Sequence, residues 1–180
     1  YDLYYNVVAN PMLWFIQHAL WGPAFSPVIG RELHEAWRDG YETVNRAFAD
    51  AVVAQLDNTP DATVFFHDYH LYLAPRMVRE ARPDAKLAHF VHIPWPVDWT
   101  TLPLDMRHAV HDGLLANDVV GFHTARWARN FERSCADLAC ATDGTFVTHH
   151  PISIDVAEFD SLRESEAVLA YLFIHPTQDE

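Results

Sequence analysis

Positive charge is in short supply in this sequence. Twelve Lys and Arg stand against 25 Asp and Glu, a formal net charge of −13, and lysine occurs once, as Lys86. That balance, with a pI near 5.2, excludes nucleic acid and anionic membranes as bulk partners, because both need a positive field across the binding face. Any phosphate has to be gripped locally. The eleven arginines fit that task through their planar fork of donors, although most of them need no explanation beyond composition. Cysteine is equally sparse: Cys135 and Cys140, five apart, match neither zinc nor redox spacing and predict a reduced, cytosolic setting. No apolar run approaches the roughly 18 residues of a membrane span. The opening YDLYYN puts no basic region ahead of an apolar core, so neither a membrane segment nor a secretory signal is expected.

What the sequence does have is apolar content, 50% over 180 residues, enough for one globular domain with a real core. Leu33, Trp37, Tyr41, Val44, Phe48, Val52 and Leu56 recur at steps of three or four, which predicts a long amphipathic helix over 33–56 whose aromatic stripe is core. Asp57-Asn58-Thr59-Pro60 breaks it. An alternation follows: strands are predicted over 63–66, 86–92 and 118–122, and helices over 71–81 (despite Pro75), 105–116 and 125–138. Short apolar strands alternating with amphipathic helices predict a Rossmann-like α/β fold, a parallel sheet with helices on both faces.

Ligands of such sheets bind outside the carboxyl ends of the strands. Polar clusters stand at those places: HDYH after the first strand, HIPWP after the second, HT after the third. Each has an ordinary alternative reading. His67 and His70, three apart, have metal-like spacing but no evident third ligand. LHEAWR at 33–38 begins like a zinc motif, yet Arg38 stands where the second histidine belongs, so it reads as a solvated helix face. Asp68 suits an N-cap as well as a binding carboxylate. His92 suits a core position bonded to backbone, and Trp95 between two prolines suits a stiffened loop.

Taken together the clusters are more specific. HDYHL, HIPWP with His92 24 positions after Asp68, and GFHT, preceded by YYNVVANPMLW, resemble the trehalose-6-phosphate synthase family of retaining glycosyltransferases over about residues 1–163. The resemblance implies the two-domain GT-B fold, with an acceptor-binding N-terminal domain facing a nucleotide-sugar-binding one. It implies that Tyr5, Trp14 and Asp68 form the acceptor pocket for glucose 6-phosphate and that His92 meets the donor sugar, UDP- or GDP-glucose. Asp68 and His92 are the expected catalytic residues. The chemistry is consistent: a carboxylate accepts two hydroxyl hydrogen bonds, and aromatic rings cover the apolar faces of a hexose. The implied reaction is a front-face substitution in which the departing diphosphate helps take the acceptor's proton, so no cofactor and no metal are expected. The expected partners are small molecules, a nucleotide sugar and a sugar phosphate.

The sequence also departs from the family. HPISID at 150–155 carries Ser153 where the family has glycine, and no Arg or Lys follows Arg163 to supply the RxDxxK clamp on the diphosphate. The family's glycine-rich donor loop would precede Tyr1. The expectation is therefore an incomplete chain: residues 1–150 as a partial acceptor domain, and 151–180 as linker and remnant of the donor domain, with YLFIHPTQDE (171–180) not continuing a helix over 156–169. A missing first strand would leave sheet surface uncovered, so self-association is expected. A pseudo-glycosyltransferase of the validoxylamine type and a non-catalytic sugar-phosphate-sensing domain are the alternatives.

Overall fold

The computed structural model describes residues 1–20 and 29–163, so the proposed remnant at 171–180 lies outside the described residues. The first helix, α1, comprises Leu3–Trp14 and its continuation Phe15–Gln17. The second, α2, is long and has three consecutive segments, Arg31–Ala36, Trp37–Glu42 and Thr43–Asn58. The alternation then runs β1 (Thr63–His67), a single turn Tyr69–Leu71, α3 (Ala74–Ala81), β2 (Lys86–Val91), α4 (Leu104–Leu114), β3 (Val119–Phe122), α5 (Ala125–Asp137), β4 (Phe146–His149) and α6 (Val156–Arg163). Among the described residues no helix is long and apolar enough to cross a membrane.

The four strands form one parallel sheet in the order β1-β2-β3-β4. The parallel α/β sheet is the one that the alternation predicts, but the expected helices on both faces are not found: among the described residues the connecting helices pack on one face, and the other leaves Phe65 and Phe146 exposed. Two elements carry weak patterns and were not expected: α1, which contains Pro11, and the four-residue β4. The third helix begins at Ala74 rather than at residue 71, which explains why Pro75 is tolerated: it sits in the first turn, where no intrahelical N–H is needed. The 33–56 stripe also needs correcting. Trp37–Glu42 is wound more widely than an α-helix, so the inward face slips by one residue. Tyr41, Asn45, Ala49 and Leu56 are buried, while Phe48 is exposed.

Alternate residues of each strand meet different surroundings. Phe66, Leu87, His89, Val91, Val120 and Phe122 are buried. They pack against Val78 of α3, Val110 and Leu114 of α4, and Phe131 of α5. On the opposite face Phe65 and Phe146 are exposed. Trp95 is core, only 1% exposed. Its ring sits edge-on to Tyr72, His111, Phe122 and Phe131, and its indole N–H donates to Ser134 Oγ at 3.0 Å. It anchors the HIPWP segment to α4 and α5, a larger role than stiffening a loop.

Close backbone approach sets where the segment after β1 can lie. A Cβ on Gly113 would stand 1.9 Å from the Tyr72 carbonyl oxygen, so only glycine lets α4 press against that backbone.

Candidate active site

The segment after β1 is held from below by buried polar groups of α1 and α2. Asn45 Nδ2 donates to the Tyr41 and His70 carbonyls, and its Oδ1 accepts from the Leu73 and Ala74 N–H groups at 3.0 Å each. One buried amide from α2 thus satisfies two free donors at the start of α3. The Tyr41 hydroxyl donates to the Tyr69 carbonyl, Tyr4 to the His70 carbonyl, Tyr69 to Asn10 Oδ1 and Tyr72 to Gln17 Oε1. Burial, with help from neighbouring Asp68, raises the Tyr69 phenol to about 12, so it acts as a neutral hydrogen-bond donor.

Asp68 sits on top of this scaffold with φ 60° and ψ −174°, a conformation that is costly for any residue with a Cβ. Three bonds to β2 and its end hold it there. Its N–H donates to the Phe90 carbonyl at 2.9 Å, its carbonyl accepts from His89 Nε2–H at 3.0 Å, and its Oδ1 accepts from the His92 N–H at 3.2 Å. The carboxylate makes no cap bond to the turn that follows. The N-cap reading of Asp68 is therefore replaced by a link to the neighbouring strand end, and its remaining carboxylate oxygen lies at the mouth of the sheet.

His92 is exposed, not a core histidine. Its Nε2 lies 3.0 Å from His67 Nδ1, where one hydrogen is shared, and its ring meets that of His123 at 5.3 Å. Partial burial lowers its pKa, with His67 and His123 acting in the same direction and Asp68 opposing them. The imidazole is accordingly neutral near pH 7 and able to accept or donate one bond. His70 turns away from His67 and stacks on Tyr5 at 5.8 Å, so the two histidines with metal-like spacing serve different partners.

Of the four residues expected in the site, Asp68 and His92 are in contact and Tyr5 is one ring away through His70. Trp14 joins the group only through α1, where its ring packs on His18 at 3.9 Å and on Phe15 at 5.3 Å. Pattern reading put His67 and His123 in the strand-end clusters without giving them a place beside His92, and it missed His89, which fixes the Asp68 backbone. The signal for His89 was present: a histidine in the middle of an apolar strand whose neighbours at two-residue spacing, Leu87 and Val91, are core. Next to HIPWP lies a cavity of about 630 Å³, lined by Gln17, His18, Trp95, Arg126, Trp127 and Asn130 among others, polar and aromatic in the manner of a sugar site.

Comparison with known proteins gives this geometry a context. A validamine 7-phosphate valienyltransferase of Streptomyces hygroscopicus subsp. jinggangensis is 36% identical over 135 residues, covering 74% of this chain and 27% of that protein. The trehalose-6-phosphate synthase of Mycolicibacterium smegmatis is 33% identical over 184 residues, covering 92% of this chain and 35% of that protein. The chain thus spans about a third of the length of these relatives. Among solved structures, an α,α-trehalose-phosphate synthase (UDP-forming) from Burkholderia vietnamiensis superposes with a TM-score of 0.73 at 23% identity, over 96% of this chain and 38% of that one. A trehalose-6-phosphate synthase studied with bisubstrate glycomimetics superposes with a TM-score of 0.74 at 26% identity, over 95% and 40%. The profile of glycosyltransferase family 20 matches residues 1–172. The strand-end carboxylate and histidine, the parallel sheet that presents them and the extent of that match lead to one assignment: this chain belongs to glycosyltransferase family 20.

Proposed function

We propose that the protein carrying this chain is a retaining glucosyltransferase, joining glucose from UDP- or GDP-glucose to glucose 6-phosphate to give trehalose 6-phosphate. The observation that carries the reading is the locked Asp68, whose backbone is strained and bonded three ways to β2 and its end so that its carboxylate stays beside His92. Strain of this kind is retained where geometry matters to function. In this reading Asp68 accepts from and orients the acceptor hydroxyl, Tyr5 and Trp14 cover apolar faces of the acceptor sugar, and His92 meets the donor sugar. The acceptor oxygen bonds to the anomeric carbon on the face from which the diphosphate departs, and the diphosphate oxygen takes the acceptor proton. Positioning does the work here, without an enzymatic nucleophile. The substrates are soluble phosphorylated sugars, which fits a cytoplasmic enzyme.

A second reading rests on the 36% identity to a validamine 7-phosphate valienyltransferase: transfer of an activated cyclitol to an amino-cyclitol phosphate. Incubating the protein with glucose 6-phosphate and each nucleotide-glucose, and following nucleoside diphosphate release and the phosphorylated disaccharide, tests the first reading. Product from UDP- or GDP-glucose supports it. Product only from a nucleotide-activated cyclitol transfers the assignment to the second. Glucose 6-phosphate binding without turnover in either case points to a sensing domain.

A further inference from the structure

Away from Asp68 and His92, three ligating side chains of different chemistry converge. His108 and Asp112 lie one turn apart on α4, and Cys140 follows the end of α5. Their ligand atoms all lie within 4.8 Å of one another. The Cys140 sulfur is 3.9 Å from His108 Nδ1 and 3.8 Å from Asp112 Oδ1. Helices that connect parallel strands run back toward the strands' amino ends, so the group sits at the edge of the sheet opposite the candidate active site.

We propose that His108, Asp112 and Cys140 form a binding site for a thiophilic divalent transition-metal ion, with Zn(II) as the fitting occupant. The spacing is close to what the ion needs. Zn–S near 2.3 Å and Zn–N or Zn–O near 2.0 Å give tetrahedral edges of about 3.5 Å from sulfur, so the two edges at Cys140, 3.9 and 3.8 Å, contract by only a few tenths of an ångström on binding. The ligand set selects the ion: thiolate with imidazole favours zinc and its neighbours over magnesium or calcium. Partial exposure leaves the fourth position to water.

Two features distinguish the group from a chance surface cluster. The first is an excess of acceptors at the sulfur: its one hydrogen serves either Asp112 Oδ1 or the Leu138 carbonyl, at 3.8 and 3.9 Å, while His108 Nδ1 at 3.9 Å donates or accepts according to its tautomer. Among the described residues His108 makes no other side-chain hydrogen bond and Asp112 no ion pair. A cation binding the thiolate, imidazole and carboxylate satisfies all three, and the displaced thiol proton goes to solvent. The second is the placement of the cysteine. Cys140 N–H donates to the Cys135 carbonyl at 2.9 Å and Ala139 N–H to the Ala136 carbonyl at 3.0 Å, the paired bonds of a helix C-terminal cap. Ala139 holds the left-handed position at φ 54°, where glycine is usual. The cap fixes the thiol over α4 with little freedom, and a bound ion would staple α4 to the turn between α5 and β4.

Cobalt(II) titration of the chelator-stripped protein tests the proposal. Saturable binding of one equivalent with a thiolate-to-cobalt charge-transfer band, displaced by Zn(II), is the expected result. Cys140→Ser should remove the band. His108→Asn and Asp112→Asn should each weaken binding roughly tenfold or more, since even changes outside the ligand shell of known sites cost about that much. Without any substitution, Zn(II) should protect one thiol, Cys140, from iodoacetamide. Three outcomes overturn the proposal: no thiolate band in the native chain, a band that survives Cys140→Ser, or cobalt binding that is lost instead on His67→Ala, which would place the ion at the His67/His92 pair.

Discussion

Two histidines of the β2 region, three residues apart, have opposite fates. His89 is 1% exposed, and its Nε2–H is spent on the Asp68 carbonyl. Its Nδ1 is buried without a partner among the described residues. His92 is exposed and shares a hydrogen with His67. The same contrast separates Phe66, 4% exposed, from its neighbour Phe65, 55% exposed. Residue type alone does not distinguish the members of either pair. Strand parity does, because an odd spacing puts two side chains on opposite faces of a sheet, one packed against helices and one open. One face builds stability and the other, at its carboxyl edge, presents the site.

The largest effect should come from the phenylalanines. Phe66→Ala should lose about 3–5 kcal/mol of unfolding free energy, whereas Phe65→Ala should stay within about 0.5 kcal/mol, measured by denaturant melts. Equal losses would mean that the face carrying Phe65 is covered as well. The histidines come next. His89→Ala should cost about 2–3 kcal/mol, because it leaves the strained Asp68 carbonyl unpaired and opens a cavity. His92→Ala should be near neutral for stability while removing the transferase activity proposed above.

Acid should reveal the same asymmetry. Burial lowers the His89 pKa to about 3, outweighing the raising effect of its bond to Asp68. The folded state therefore keeps His89 neutral while the unfolded chain takes up a proton below about pH 6.5. The unfolded state binds more protons in that window, so His89 makes stability fall as pH drops from about 6.5 toward 3. Measured as unfolding free energy against pH, the slope should shrink by about one proton in His89→Leu and by less in His92→Leu, whose pKa is also lowered but which stays exposed. The smallest effect is expected at Asp68. Asp68→Gly should relieve the positive φ and raise stability by about 1 kcal/mol, offset in part by the lost bond to the His92 N–H. On the proposed function, glucose 6-phosphate binding should disappear in calorimetry. A variant that is more stable and no longer binds would separate the strain from its use.

Much of the fold is legible in the residue pattern. The short apolar strands TVFF and KLAHFVH, each followed by polar residues and an amphipathic stretch, specify a parallel sheet with its ligand edge at the strand ends, since period-two and period-3.6 burial demand different partners. Two things are not legible. Elements with weak local signals are missed: β4 is four residues long, and α1 contains Pro11. The phase of α2 is displaced because its wider middle segment shifts the buried stripe by one residue, a change that no periodic template anticipates.

The sequence by itself determined that Asp68 and His92 stand at neighbouring strand ends, because chain order and strand length dictate those positions. Only the tertiary structure decided what each does there. The bonds that hold Asp68 in a costly conformation come from β2 and the residue after it, 21 to 24 positions away. The amide that caps α3 comes from Asn45, 28 and 29 positions back. His108 and Asp112 meet Cys140 across 32 and 28 residues. A local pattern records which face of an element is apolar. It does not record which distant groups arrive at that face, and hydrogen-bond partners and ligand sets are made of those arrivals.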